Sequence, residues 1–94
     1  MLLTDAEIDE ALRALPGWTR VGRTLQRTYR FAGFPEAVAF VDRLVAPAEA
    51  LGHHPDLAIS YNTVVVTLTT HDAGGLTAKD LALAKAMPSV TGDR

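Results

Sequence analysis

The spacing of apolar and polar positions changes period along this chain, and each change marks an element. Thr4-Asp5-Ala6-Glu7 has the form of a capping box, in which Thr4 accepts from first-turn amides and Glu7 reaches back to the Thr4 N–H. Ile8, Ala11, Leu12 and Leu15 follow at helical spacing, and Pro16-Gly17 stops them, which predicts a helix over about residues 5–15. Trp18 to Val21 is a short strand candidate, and Gly22-Arg23 a turn. From Thr24 to Phe31 the period is two, with Leu25, Tyr29 and Phe31 on one face and Thr24, Gln26, Thr28 and Arg30 on the other. That alternation predicts a half-buried strand in an antiparallel hairpin.

Gly33-Phe34-Pro35-Glu36 opens a second helix, with proline near its first turn. Ala37, Val38, Phe40, Val41, Leu44, Val45, Ala48 and Leu51 form a wide apolar stripe, predicting a helix over about residues 35–52, kinked at Pro47. His54-Pro55 then forces an extended step, because a residue before proline avoids the α region. Leu57, Ile59 and Tyr61 alternate with Ala58 and Ser60, Asn62-Thr63 offers a tight turn, and Thr63 to Thr69 is a β-branched strand. His71 to Gly75 is a loop. Thr77-Ala78-Lys79-Asp80 is a capping box with Asp in place of Glu, opening a third helix that Met87-Pro88 ends, with the last six residues frayed. The order α-β-β-α-β-β-α predicts an α+β, two-layer domain, a four-stranded antiparallel sheet with helices packed on one face.

Composition narrows the class. A chain of 94 residues is read as one domain, 1–94, and buries only about 60–65% of its unfolded surface. Hydrophobic residues make up 48% and charged ones 21%, which excludes disorder as the main state. Surplus apolar content in so small a domain points to association, so a homo-oligomer is expected. The absence of cysteine removes disulfides, thiol nucleophiles and Cys-ligated metals. Nine Lys+Arg against eleven Asp+Glu give a net charge of −2 with no basic block, so direct nucleic-acid binding is disfavoured. No apolar run approaches the roughly 20 residues of a membrane span. The first residues lack the basic and apolar regions of a secretory signal, so a cytoplasmic protein is expected.

All three histidines lie between positions 53 and 71. Adjacent side chains on a helix diverge by about 100°, but a helix end before proline redirects the second of the pair. In a hairpin turning near Asn62, positions 54–56 pair near 69–71, which brings His54 and His71 together. Zinc can take three histidines, but no H-x3–5-H spacing and no Cys support it. Ser60 and Ser89 lack a G-x-S-x-G setting. Gly74-Gly75-Leu76-Thr77 could hold an anion at a helix start, but no G-x-G-x-x-G is present, and a plain turn explains the glycines. Histidine without metal or nucleophile leaves proton transfer, for which imidazole is suited near neutrality. Glu49, four residues before His53, can share its helix face and orient that imidazole, or be a solvated glutamate. Asp80 caps the third helix, and a cap can also face a pocket.

The string Glu49-x3-His53-His54-Pro55-x5-Tyr61-Asn62-x4-Thr67-Leu68-x-Thr70-His71-x3-Gly75-Leu76-x3-Asp80 resembles the signature of the pterin-4a-carbinolamine dehydratases. Leu15-Pro16-Gly17-Trp18 and Tyr29-Arg30-Phe31-x2-Phe34-x2-Ala37 extend the resemblance over about residues 4–87. The family removes water from 4a-hydroxytetrahydropterins (4a-hydroxytetrahydrobiopterin), giving quinonoid dihydropterin. This recycles the pterin cofactor of aromatic amino acid hydroxylases. The resemblance implies no metal, no organic cofactor, and a homodimer or homotetramer. It places the active-site histidines on His53, His54 and His71 and the supporting acidic residues on Glu49 and Asp80. Thr70, Asp72 and Pro55 fall at substrate-binding positions. His53 and His71 are the acid and base candidates, with their order open, while His54 positions substrate or shares the proton work.

Three positions depart from the family pattern. Leu57-Ala58 stands where an aromatic residue, often Trp, is common, which alters pterin contacts or packing. Pro47 just before Glu49 is unusual and could displace it. Asp72 replaces a frequent Glu. A second class of function stays open: a non-catalytic partner-binding, assembly or dimerisation module, with Val38, Val41 and Val45 as the interface.

Overall fold

The structure, a computed structural model, describes residues 1–87. The stop at Pro88 and the fraying of the last six residues lie outside the described residues. The elements are α1 (Asp5–Leu12), β1 (Thr19–Val21), β2 (Thr24–Arg30), α2 (Phe34–Leu51), β3 (Asp56–Ser60), β4 (Thr63–Leu68), a 3₁₀ turn at His71–Ala73, and α3 (Ala78–Ala86). The expected α+β order holds. The four strands are antiparallel in the order β1-β2-β4-β3, so β2 and β4 are central and β3 is an edge.

Alternation decides which residues fill the layer between sheet and helices. Leu25 and Tyr29 of β2 and Val64, Val66 and Leu68 of β4 are buried, and the intervening positions are not. The pairs Leu25↔Leu68 and Tyr29↔Val64 place these side chains on one face. Onto that face α2 lays Ala37, Phe40, Leu44 and Ala48, α1 lays Ile8, and α3 lays Leu83 and Ala84. The Phe40 ring centre lies 4.5 Å from Tyr29 and 5.1 Å from Phe31, both tilted, a favourable aromatic arrangement.

Several boundaries differ from the sequence expectation, each for a local reason. α1 ends at Leu12, not near 15, because Ala14 N–H and Leu15 N–H bond back only three residues, to Ala11 and Leu12. That tight turn drives Leu15 and then Trp18 into the core. The hairpin turns at Tyr61-Asn62, one residue earlier than expected, with Tyr61 at φ 54°. Asn62 is fixed there by exchange with Phe31: the Asn62 Nδ2 donates to the Phe31 carbonyl, and the Phe31 N–H donates to the Asn62 carbonyl. As a result Asp56 pairs with Thr67, and positions 54–56 run about two residues out of the expected register. Leu57 and Ile59 do lie on the helix side, opposite Val66 and Val64, yet the whole of β3 is exposed because α2 does not reach over the edge strand.

α2 runs unbroken from Phe34 to Leu51 through Pro47. Pro47 has no N–H for the Arg43 carbonyl, so this helix carries an avoidable cost. Pro47→Ala is expected to stabilise the fold by about 2 kcal/mol net of the entropy it returns to the unfolded chain. Urea denaturation measures this, and a lower midpoint in the variant would contradict it.

Candidate active site

Two chain reversals build the site. The first ends α2. Gly52 adopts the left-handed conformation, φ 61°, and the His53 N–H then donates back to the Ala48 carbonyl at 3.1 Å. This is the six-to-one closure of a Schellman motif, which fixes the residue after the cap. His53 is thereby turned inward, and His54, held extended by Pro55, points outward. The second reversal follows β4. Thr70 and Gly75 exchange backbone hydrogen bonds, N–H to carbonyl in both directions at 3.0 and 3.3 Å. The 3₁₀ turn bearing His71 and Asp72 is pinched out between them. Two residues on, Thr77 caps α3 and delivers Asp80 in its first turn.

These reversals give each histidine a carboxylate. His53 Nε2 lies 2.6 Å from Asp80 Oδ1, with His53 8% and Asp80 0% exposed. His54 Nε2 lies 2.5 Å from Glu49 Oε2, both side chains in solvent. His71 Nε2 lies 3.8 Å from Asp56 Oδ2, an ion-pair distance, with the His71 side chain 80% exposed. The other Asp80 oxygen, Oδ2, accepts from the Thr70 hydroxyl at 2.8 Å and the Thr77 N–H at 2.9 Å. A carboxylate only accepts, so the network places a proton on His53 Nε2, and Nδ1 is the ring nitrogen that Asp80 does not engage.

A cleft of about 250 Å³ is lined by Gly52, His53, His54, Thr69, Thr70, His71, Asp72 and Lys79. All three histidines therefore meet on one cavity, along with Thr70 and Asp72. Asp80 and Glu49 are hydrogen-bonded to the His53 and His54 imidazoles. Glu49 does not orient His53, as its spacing allowed. It pairs with His54, because the Gly52 reversal carries His53 towards α3 instead. Pro55 lies elsewhere: with Val41, Leu44, Val45, Ala48, Glu49, His54 and Leu57 it lines a separate apolar groove of about 240 Å³ between α2 and β3.

Three participants escaped the sequence reading. Lys79 lines the cleft from the first turn of α3, a position the capping box already implied. Asp56 faces His71, which needed the true hairpin register. Thr77 does more than cap, since its hydroxyl lies 2.8 Å from that of Thr70. Among the described residues no group of three His, Cys, Asp or Glu side chains could hold a metal ion, and no helix is long and apolar enough to cross a membrane.

Comparison with known proteins finds one family over nearly the whole chain. The family model described as "Pterin 4 alpha carbinolamine dehydratase" covers residues 1–90. A relative in Trichormus variabilis, provisionally named a pterin-4-alpha-carbinolamine dehydratase, is 57% identical over 89 residues, 95% of this chain and 96% of its own. A relative in Chloroflexus aurantiacus with the same provisional name is 52% identical over 90 residues, 96% of this chain and 97% of its own. Among solved structures, a transcriptional coactivator/pterin dehydratase from Brucella melitensis superposes with TM-score 0.87 at 40% identity, covering 93% of this chain and 95% of that one. A pterin dehydratase-like RuBisCO assembly factor of the alpha-carboxysome superposes with TM-score 0.62 at 26% identity, covering 76% and 84%.

The two acidic partners should differ sharply on removal. Asp80→Ala strands the His53 ring N–H, the Thr77 N–H and the Thr70 hydroxyl out of water, at a cost of about 3–5 kcal/mol. Glu49→Ala removes an exposed pair worth about 0–1 kcal/mol. Urea midpoints of the two variants measure the contrast, and equal losses would contradict the assignment.

Proposed function

The chain belongs to the pterin 4 alpha carbinolamine dehydratase family, and from that membership we propose that it dehydrates a 4a-hydroxytetrahydropterin by imidazole acid–base catalysis. The observation carrying this reading is the convergence of His53, His54 and His71 on one cleft, with His53 held by the buried Asp80.

In the substrate, hydroxyl and nitrogen share carbon C4a. A base takes the N5 proton, the freed electron pair forms the C4a=N5 double bond, and the C4a–O bond breaks as an acid protonates the hydroxyl. Water and quinonoid dihydropterin leave. We assign His53 as base, because Asp80 occupies its Nε2 and leaves Nδ1 with a lone pair. His71 is the acid, exposed at the cleft mouth where water restores its proton. His54, steadied by Glu49, positions substrate or shares the proton work, and Asp72 contacts substrate at the rim. The reaction needs no metal or organic cofactor, and it recycles the pterin of aromatic amino acid hydroxylases in the cytoplasm. Residues 1–94 form one domain for this purpose.

A second reading has its own observation. Val38, Val45, Leu57 and Ile59 are all exposed on the α2 and β3 side, Val45 at 57%. That apolar surface, beside an unpaired strand edge, is the contact area of a homodimer or homotetramer. In a non-catalytic module it would instead seat a partner protein. The assembly factor and the coactivator among the structural relatives are consistent with such a role on this fold.

Stopped-flow decay of 4a-hydroxytetrahydropterin distinguishes the two. The native protein should accelerate it, and His53→Ala and His71→Ala should each lower kcat by about 10²–10⁴. No acceleration by native protein, with a stoichiometric partner retained after loss of all three histidines, would favour the binding module.

A further inference from the structure

Thr70 and Thr77 together contain more order than a cap and a rim contact require. Thr70 has one hydroxyl proton, and the acceptor-only Asp80 Oδ2 at 2.8 Å takes it. The 2.8 Å contact between the two threonine hydroxyls must then use the Thr77 proton. Thr77 Oγ1 in turn accepts from the Lys79 N–H at 3.3 Å. The direction of every bond is therefore fixed: Lys79 amide to Thr77, Thr77 to Thr70, Thr70 to Asp80, with the Asp80 carboxylate receiving His53 on its other oxygen. Both ends of the chain are shielded from water, Thr77 being 7% exposed and Asp80 fully buried, while Thr70 between them is half-buried. Its middle link is clamped from the backbone by the Thr70–Gly75 exchange.

We propose that Thr70 and Thr77 are positioning residues, a two-hydroxyl relay that holds the Asp80 carboxylate in the rotamer that keeps His53 in its Nε2–H form. The Thr70 hydroxyl is then spent on Asp80 and does not bind substrate, although Thr70 borders the cleft. A carboxylate anchored only by its helix cap could rotate about its last torsion and release the imidazole. The hydroxyl on Oδ2 prevents this, and the hydroxyl behind it polarises the bond. The kinetic part rests on the dehydratase reading, whereas the ring tautomer is observable whether or not the protein is an enzyme.

The test combines long-range ¹H–¹⁵N spectra of the His53 ring with steady-state kinetics on the full chain. Thr70→Val removes the donor to Asp80 at nearly constant volume, and the Thr70 side chain makes no cap bond to the 3₁₀ turn that follows it. It should replace the single Nε2–H signature with a mixture of ring forms and lower kcat about tenfold, the equivalent of one hydrogen bond, with KM within about twofold. Thr70→Ser should restore both. Thr77→Val should shift the ring signature in the same direction, Thr77→Ser should not, and Thr77→Val should add nothing to the ring signature once Thr70 is Val. A merely structural role would lower the melting temperature and leave the His53 spectrum native in both Val variants, which overturns the proposal. If Thr70→Val does not fold, Thr77→Val against Thr77→Ser decides by the same spectrum. A native protein without dehydratase activity but with the expected spectral changes keeps the relay and overturns only the enzymatic reading.

Discussion

One fully buried carboxylate organises this molecule. Asp80 sits at 0% exposure with three donors around it: the imidazole of His53, the hydroxyl of Thr70 and the backbone N–H of Thr77. An unpaired carboxylate at that depth would cost several kcal/mol, so the surrounding chain must supply every partner at once. Doing so ties the end of α2 to the exit of β4 and the start of α3, three segments distant in sequence. The cleft between them follows from that requirement. A residue that looks like a helix cap from one side is the orienting group of an imidazole from the other.

The remaining geometry of the site is backbone geometry. The left-handed Gly52 ends α2 with space around its Cα and turns His53 towards α3, and the Thr70–Gly75 exchange sets the turn that carries His71. His53 is buried, while His54 and His71 are exposed on the same cleft. Chemically similar side chains thus stand in different surroundings on one cleft. The apolar groove between α2 and β3 borders this cleft through His54, which lines both.

Much of this was legible in the sequence. Period-two runs around Leu25 and Val64 and the helical stripe of α2 give the layer order directly, because burial on one face forces those periods. The clustering of histidines and the two capping boxes were equally visible. What escaped depended on exact register and on side-chain reach. The hairpin turns at Tyr61-Asn62 because Asn62 is bound to Phe31, a long-range contact that no local pattern contains. That one-residue shift hides the approach of Asp56 to His71. Helical spacing allows Glu49 to face His53, but α2 ends at Gly52, and Glu49 pairs with His54 instead. Leu57 and Ile59 show the alternation of a half-buried strand, yet which strand lies at the edge is a property of the whole sheet.

The most direct test of imidazole chemistry in this cleft is a crystal structure with a reduced pterin bound. The account predicts the ring in the cleft lined by Gly52, His53, His54, Thr69, Thr70, His71, Asp72 and Lys79, with its reacting atoms within about 3–4 Å of the free nitrogens of His53 and His71. A pterin seated instead in the α2–β3 groove, or lying in the cleft out of reach of both rings, would contradict it.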